Sequence, residues 1–426
     1  MKSKLLIIDV AGLGYELATK SGYQNISGIG LSPIESVFPA VTCTVQASFR
    51  TASRPESHGM VSNGIYFREL GKVMFWEQSA GLVAGPRIWE PLREAGRRVG
   101  MFFWQQSLGE SVDMVLSPAP VHTHCGGMIT GCLSRPAHLE DNLNDSIGRK
   151  FPLHRYWGPL ASAKVGDWIA GAVSALLSED TAPELMLVYL PSLDYDLQRH
   201  GPSHRKTGKA LAKTVLQLES MIATARGKNY ETVLFGDYTV TPVSGEAVFP
   251  NVTLKNAGLL AVRNVRGMEY IDLYHSRAFA VTDHEMAHVY VSRQEDIDKT
   301  IEVLSSLEGV LKVEQKTMNH PRAGELLMVA SEGRWMAYPW WREKRKAPDF
   351  ASHMDIHNKP GFDPCELFFS PIPLRICRDT SRISGSHGRI GPGREVAFGA
   401  TIDAGKPESI IGLASNLSQW IRSEMC

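Results

Sequence analysis

The sequence predicts an α/β fold in which a buried parallel sheet has helices on both of its faces. Short runs of branched apolar residues are typical of strands that are covered on both sides. Three of these runs follow segments whose apolar residues recur at helical spacing, and this alternation favours a wound sheet. The chain has 426 residues and a mass of 47.0 kDa. This length favours one large core together with a second, smaller unit.

The first elements along the chain set the pattern. A strand is predicted over residues 5–8, where an all-apolar run is closed by Asp9. A helix over residues 88–95 ends at Gly96, and it leads into an apolar run over residues 99–104. We interpret this run as a second strand of the same sheet.

Two further pairs of helix and strand repeat this order. An apolar stripe between residues 165 and 176 precedes a strand over residues 185–190. A second stripe, between residues 211 and 222, precedes a strand over residues 232–235. In sheets of this kind, ligand-binding residues gather at the carboxyl ends of the strands. We therefore look for a site at that edge.

The pattern changes after about residue 250. A strand over residues 287–291, a helix over 297–304 and a strand over 310–313 form a β-α-β unit of a different, α+β type. The tail then returns to the core pattern, with a strand over 396–398 and a helix over 410–421. We predict a core in two parts interrupted by a cap, with boundaries at residues 1–249 for the first part, 250–380 for the cap and 381–426 for the last part.

Composition excludes several classes of protein. The chain has 45 Lys and Arg against 45 Asp and Glu, which argues against binding nucleic-acid polymers or membranes through bulk charge. No apolar run reaches the roughly 18 residues of a membrane span, and Asp9 interrupts the first apolar run too early for a signal peptide. The cysteines are scattered, without a Cys-x-x-Cys pair, so we expect reduced thiols in a cytoplasmic protein. They are Cys43, Cys125, Cys132, Cys365, Cys377 and Cys426.

Carboxylates follow three of the predicted strands. Asp9 closes the first strand, Asp194 and Asp196 follow residue 190, and Asp237 follows residue 235. Each one alone fits a turn former or a helix cap. Together, at one edge of a sheet, their charges would repel one another unless cations neutralised them. The pattern therefore favours a metal site, and Thr42 lies in a predicted loop that is a candidate neighbour.

Two histidines are candidate ligands for the same site. Asp196 and His200 are four residues apart, so one helical turn would direct both toward one ion, with donor atoms that suit zinc or manganese. His387 lies in a loop flanked by Gly385 and Gly388, where the backbone can approach a ligand closely. Either pattern also fits an ordinary surface position.

These residues together resemble the nucleotide pyrophosphatase/phosphodiesterase branch of the alkaline phosphatase superfamily, which also contains phosphonoacetate hydrolase. The most specific stretch runs from Phe38 to Thr42 and continues through Arg54-Pro-Glu-Ser-His-Gly59 to Asn63. In that family the threonine is the nucleophile, and an asparagine 21 residues later binds the phosphoryl oxygen; Thr42 and Asn63 have this separation. The resemblance implies an alkaline phosphatase-like sheet with an inserted cap.

The resemblance also implies two divalent metal ions. Zinc is the expected metal, and manganese and iron are alternatives. The residues that it assigns to them are Asp9, Thr42, Asp196, His200, Asp237, Tyr238 and His387. Tyr238 departs from the family pattern, which usually has histidine at that position. Three alternatives follow: Tyr238 binds the metal as a phenolate, His284 or His357 replaces it, or the site binds its metal weakly.

The function that the resemblance implies is metal-dependent hydrolysis of a phosphodiester or pyrophosphate bond. The substrate would be a small phosphate ester or nucleotide, Thr42 would form a phosphothreonine intermediate, and Asn63 would donate a hydrogen bond to the phosphoryl group. A phosphonate hydrolase or phosphomutase on the same scaffold is an alternative. So is a non-catalytic phosphate- or metal-binding homologue, because of Tyr238. Gly12-x-Gly14 lacks the third glycine of a dinucleotide-binding loop, which disfavours an oxidoreductase.

Overall fold

The computed structural model describes residues 2–124, 127–315, 318–372 and 375–426. The strands are β1 (Lys4–Val10), β2 (Asn25–Ile26), β3 (Ile29–Gly30), β4 (Ser32–Ile34), β5 (Gly64–Phe67), β6 (Lys72–Phe75), β7 (Val99–Phe102), β8 (Met114–Pro118), β9 (Val121–His122), β10 (Met128–Ile129), β11 (Cys132–Arg135), β12 (Leu185–Leu190), β13 (Tyr230–Gly236), β14 (Thr241–Pro242), β15 (Ala261–Val265), β16 (Met268–Asp272), β17 (Ala278–Asp283), β18 (Met286–Val291), β19 (Val310–Gln315), β20 (Leu326–Ala330), β21 (Gly385–Ser386) and β22 (Val396–Ala400). The α-helices are α1 (Tyr15–Lys20), α2 (Thr42–Thr51), α3 (Pro55–His58), α4 (Glu90–Glu94), α5 (Leu139–Ile147), α6 (Lys164–Leu177), α7 (Ser192–His200), α8 (Arg205–Gly227), α9 (Pro250–Asn256), α10 (Ile297–Ser305) and α11 (Ile410–Trp420).

The centre of the molecule is an eight-stranded sheet. Its strands lie in the order β11, β8, β7, β12, β1, β13, β22 and β4. The five strands from β8 to β13 are parallel, and the three outer strands are antiparallel to their neighbours. The α/β prediction is confirmed.

Strand β1 shows why the helices must cover both faces. Leu5, Leu6, Ile7 and Ile8 point alternately to opposite faces, and all four are fully buried. Helices α6, α7 and α8 pack together as one group, and α2 packs on α11 as another. Because β12, β1 and β13 are neighbouring parallel strands, their carboxyl ends are adjacent. The residues that follow these strands therefore lie at one edge of the sheet.

The cap has its own sheet and its own core. Strands β17, β18, β20 and β19 form a four-stranded antiparallel sheet, and α10 packs against β19. Its hydrophobic core extends from Val248 to Phe362 and includes Val73 and Phe75 from the first part of the chain. Residues from Cys365 onward pack on the main core instead. The boundaries at residues 250 and 380 stay predictions.

A buried ion pair joins the cap to the main core. Glu285, in the turn between β17 and β18, is held by Arg394 through contacts of 2.6 and 3.2 Å, and both side chains are buried. The described cysteines are free thiols, and Cys125 lies outside the described residues. Across the described ranges, no helix is both long and apolar enough to cross a membrane.

Candidate active site

A cavity of about 980 Å³ opens at the carboxyl ends of the central strands. Thr42 lies in its wall with Tyr189 from the end of β12 and Tyr238 from the segment after β13. The cap contributes His284 to the same wall. The cavity therefore lies between the main sheet and the cap.

Thr42 is the first residue of α2. We expected it in a loop, but the helix begins directly at this residue, after the extended Val41. Its side chain is buried, and Oγ1 lies 3.4 Å from the phenol oxygen of Tyr189. A hydroxyl at the start of a helix lies in the positive end of the helix dipole, which favours an anionic oxygen there. Thr42 thus presents a hydroxyl in the cavity wall at a point where the helix dipole favours an anionic group.

Asp9 and Asp237 are fully buried at the carboxyl ends of neighbouring strands, and they are not among the residues of the cavity wall. Asp9 is in register with Tyr189 on the neighbouring strand, and its Oδ2 accepts a 2.7 Å hydrogen bond from Gln46. Gln46 is one helical turn after Thr42 on α2. Asp237 accepts hydrogen bonds from the backbone amides of Gly12 and Tyr238. The helix that carries Thr42 therefore also fixes one of the two carboxylates.

Burial strongly perturbs both carboxylates. It raises the pKa of Asp9 to about 8. It also raises the pKa of Asp237 well above its ordinary value, and repulsion from the nearby Asp9 adds to the shift. Two adjacent buried carboxylates resist ionising together. At neutral pH the pair must therefore share a proton or be neutralised by a cation.

Asn63 is fixed from both sides. Its Oδ1 accepts a 3.0 Å hydrogen bond from the amide of Cys43, directly after Thr42. Its backbone amide and its Nδ2 both donate to Asp283, at 2.9 and 3.2 Å. One hydrogen of the Nδ2 amide is left over for another acceptor. Ser62 also donates to Asp283, so a residue of the cap holds the predicted phosphoryl-binding residue in place.

The structure does not bring Asp196 and His200 to the cavity. They face each other, with 3.6 Å between Oδ1 and Nε2, and they are not among the residues of its wall. Asp194 and Gln198 have the same four-residue spacing on α7, and both line the cavity. The rotation of α7 explains the difference, because the fully buried Leu197 packs into the core and turns Asp194 and Gln198 toward the site.

In the cavity wall, Gln198 Nε2 donates a hydrogen bond to Asp194 Oδ2. Their remaining oxygens, Oδ1 of Asp194 and Oε1 of Gln198, have no partner among the described residues. Burial raises the pKa of Asp194 to about 6. Gln198 therefore faces the cavity from α7, whereas the Asp-x-x-x-His pattern had indicated His200 for that role.

Four rings are stacked in a column beside Thr42. Tyr238 stacks on His387 with centroids 3.5 Å apart, His387 is 3.7 Å from His284, and His284 is 3.5 Å from Phe362. His387 is further held by the carbonyl of Ala40, at 2.7 Å from Nδ1. Burial lowers the pKa of His387 well below its ordinary value, so its ring stays neutral. The column brings Tyr238 and His387 into contact, and the resemblance had assigned both residues to the metal ions.

His284 was considered only as an alternative ligand. It has a positive φ of 57°, lies in the turn after β17, and contacts Asp283 through Nδ1 at 2.6 Å. Burial would raise the pKa of Asp283, but hydrogen bonds from His284, Ser62 and Asn63 outweigh this effect and lower it. The sequence does carry a signal for this residue. Asp283 and His284 follow an apolar run, just as Asp9 follows the apolar run of β1. His357, the other alternative, also lines the cavity.

The side chains of the site could hold only one of the two metal ions that the resemblance implies. Asp9 Oδ1 and Asp237 Oδ2 are buried and have no hydrogen-bond partner in the described part of the chain. Two hard carboxylate oxygens without partners on neighbouring strands are donors of the kind that suit one divalent cation. Within residues 2–124, 127–315, 318–372 and 375–426, no three His, Cys, Asp or Glu side chains are grouped closely enough to hold a metal ion. The residues therefore fit one cation at Asp9 and Asp237, and they do not fit the second, imidazole-rich site.

Known proteins share this architecture. Residues 5–363 match the family described as type I phosphodiesterase / nucleotide pyrophosphatase. Murine ectonucleotide pyrophosphatase / phosphodiesterase 5 has a TM-score of 0.63 at 15% identity, over 98% of this chain and 95% of that chain. An inactive variant of it in complex with AMP has a TM-score of 0.62 at 15% identity with the same coverage.

A second fold relative has a different reaction in its name. Phosphonoacetate hydrolase from Sinorhizobium meliloti 1021, in complex with phosphonoformate, has a TM-score of 0.62 at 16% identity, over 98% of this chain and 95% of that chain. No curated protein sequence matches the chain. At these identities the solved structures share the fold with this chain.

Proposed function

The chain belongs to the type I phosphodiesterase / nucleotide pyrophosphatase family, and on this premise we propose that it hydrolyses phosphodiester or pyrophosphate bonds with Thr42 as the nucleophile. The family confirms the resemblance that the sequence predicted. The observation that carries the proposal is the position of Thr42 in the cavity wall at the start of α2, the helix whose Gln46 donates to the buried Asp9.

The roles of the chain's own residues follow from their contacts. Thr42 Oγ1 would attack phosphorus, so that a new P–O bond forms while the bond to the leaving oxygen breaks on the opposite side. The free hydrogen of the Asn63 amide would stabilise the negative charge that develops on a non-bridging oxygen. Water would then cleave the phosphothreonine and regenerate the hydroxyl. The cap turn contributes by holding Asn63 through Asp283.

A divalent cation held by Asp9, Asp237 and Thr42 would lower the pKa of the threonine hydroxyl and make it a nucleophile at neutral pH. We predicted two zinc ions, or manganese or iron in their place. The oxygen-rich donor set supports one such cation and favours manganese over zinc. The substrate would be a small phosphate ester or nucleotide, and cytoplasmic location stays a prediction from the scattered cysteines.

Hydrolysis of bis-p-nitrophenyl phosphate by the full chain, with zinc or manganese added back after chelation, tests this proposal. Thr42→Ala should lower kcat by several orders of magnitude, and Thr42→Ser should retain activity because it keeps the hydroxyl. Thr44→Ala is the matched control, since Thr44 is also buried on α2 but is not in the cavity wall. Equal rates for the native chain and Thr42→Ala would eliminate the nucleophile.

A second candidate is a non-catalytic phosphate-binding protein. It is favoured by Tyr238, which stands where the family usually has histidine, and by Gln198, which lines the cavity while His200 does not. The same assay separates the two functions, because this candidate predicts ligand binding without turnover for both the native chain and Thr42→Ala. Product analysis distinguishes a phosphonate hydrolase, which would release phosphate and a carbon acid.

A further inference from the structure

The wall of the cavity outside the Thr42 site is apolar and aromatic. Trp76, Phe103, Trp157 and Phe362 line it together with leucine, methionine and proline side chains. These residues come from the segment after β6, the end of β7, the segment before α6 and the cap. A volume of about 980 Å³ is at the upper end of the range for small-molecule sites. A substrate therefore has room for a sizeable group beyond its phosphoryl group.

The permanent charges of the described wall are negative, and its basic side chains are histidines, namely His122, His154, His284, His357 and His387. Glu77, Asp194 and Asp355 line the cavity, and none of its lining residues in the described ranges is a lysine or an arginine. Sites for polyphosphate chains present arginine or lysine to each phosphoryl group, because an anion that loses its water without a partner pays a large desolvation cost. A diphosphate or triphosphate leaving group would therefore meet carboxylates and histidines here, and no arginine or lysine in the described wall.

The mouth of the cavity is apolar as well. Met128, Leu160, Met354 and Phe369 line it and are 42%, 42%, 44% and 54% exposed, respectively. Large apolar side chains that are exposed together mark a binding groove more often than an ordinary surface. They lie on three separate segments of the chain, so the patch is formed by the fold and not by one apolar run.

We propose that the substrate carries a single phosphoryl group and an uncharged alkyl or aryl group, and that this group lies along the apolar wall. The inference rests on the proposed function, because it takes the phosphoryl group to bind at Thr42. It narrows the substrate class from phosphodiester or pyrophosphate to alkyl or aryl phosphodiesters. Polyphosphates and dinucleotides are then poor substrates.

A series of p-nitrophenyl alkyl phosphates with methyl, butyl and octyl groups tests the inference, since the leaving group stays constant. We expect kcat/KM to rise about fourfold for each buried methylene. Met354→Lys should weaken this dependence on chain length. Leu216→Lys is the control, because Leu216 is an exposed leucine on α8 outside the cavity. A kcat/KM that does not change with chain length would overturn the inference.

Ligand binding to the Thr42→Ala variant, which lacks the proposed nucleophile, tests this inference separately from the proposed function. Octylphosphonate, methylphosphonate and inorganic pyrophosphate are titrated while the intrinsic tryptophan fluorescence is followed, to which Trp76 and Trp157 of the cavity wall contribute. If Thr42→Ala binds octylphosphonate more tightly than methylphosphonate and pyrophosphate, but the native chain turns over no ester, the proposed function is refuted and the apolar site is supported. If the native chain turns over an ester but Thr42→Ala binds pyrophosphate more tightly than octylphosphonate, the proposed function is supported and the apolar site is refuted.

The same chemistry is found in free esters and in membrane lipids. Hexadecyl p-nitrophenyl phosphate in phosphatidylcholine vesicles distinguishes these sources. Turnover in the vesicles supports a lipid source for the alkyl ester, and turnover of the dissolved octyl ester alone supports a free one.

Discussion

His58 should make the protein sensitive to mild acid. Its ring is fully buried, with Nε2 2.8 Å from the hydroxyl of Ser48 and Nδ1 accepting a hydrogen bond from the amide of Met60. Burial lowers the pKa of His58 from 6.5 to about 3. Four neighbouring groups contribute to this lowering of the pKa when they carry positive charge; they are Arg50, His320, Arg87 and Arg322.

The direction of the effect follows from proton linkage. The unfolded chain binds a proton at His58 as the pH falls below 6.5, while the folded chain does not do so until about pH 3. The stability that the neutral ring contributes is therefore present above pH 6.5 and is lost as the pH falls toward 3. Between pH 7 and pH 4.5 the free energy of unfolding should decrease by about 3 kcal/mol from this group alone.

Urea unfolding at pH 7 and pH 4.5, followed by tryptophan fluorescence, measures this decrease. Other carboxylates titrate in the same range, so the quantity to compare is the stability of the native chain minus that of His58→Asn. Asparagine keeps an acceptor for the Met60 amide and cannot take up the proton. His138→Asn, at an exposed histidine, is the control. A difference that changes by less than about 0.5 kcal/mol between the two pH values would refute the reasoning.

Three further predictions concern the cap, the metal site and the core. Glu285→Ala should cost about 3–5 kcal/mol in urea unfolding because it leaves Arg394 buried without its partner, and replacing both residues by methionine should recover most of that loss. Tyr238→His should raise zinc affinity at least about tenfold in calorimetry by placing an imidazole beside the Asp237 carboxylate; unchanged affinity would place the cation elsewhere. Phe49→Ala should cost about 3–5 kcal/mol, because its ring stacks on Phe235 at 4.6 Å, and a loss below 1 kcal/mol would contradict this packing.

Local pattern was sufficient to predict the elements of the main sheet. The predicted strand over residues 185–190 coincides with β12, and that over residues 5–8 lies within β1. Strand and helix periodicities are properties of short segments, and parallel strands bring their carboxyl ends to one edge of the sheet. For this reason the sequence alone was enough to place Asp9 and Asp237 next to each other.

Tertiary structure alone decided which side chains of α7 face the cavity. Asp194 with Gln198 and Asp196 with His200 have the same spacing, so sequence cannot choose between the pairs. The spacing determines the angle between two side chains on a helix, but the rotation of the helix about its axis depends on the core into which it packs. The contact between Asn63 and Asp283 has the same origin, because the two residues are 220 positions apart and only the docking of the cap brings them together.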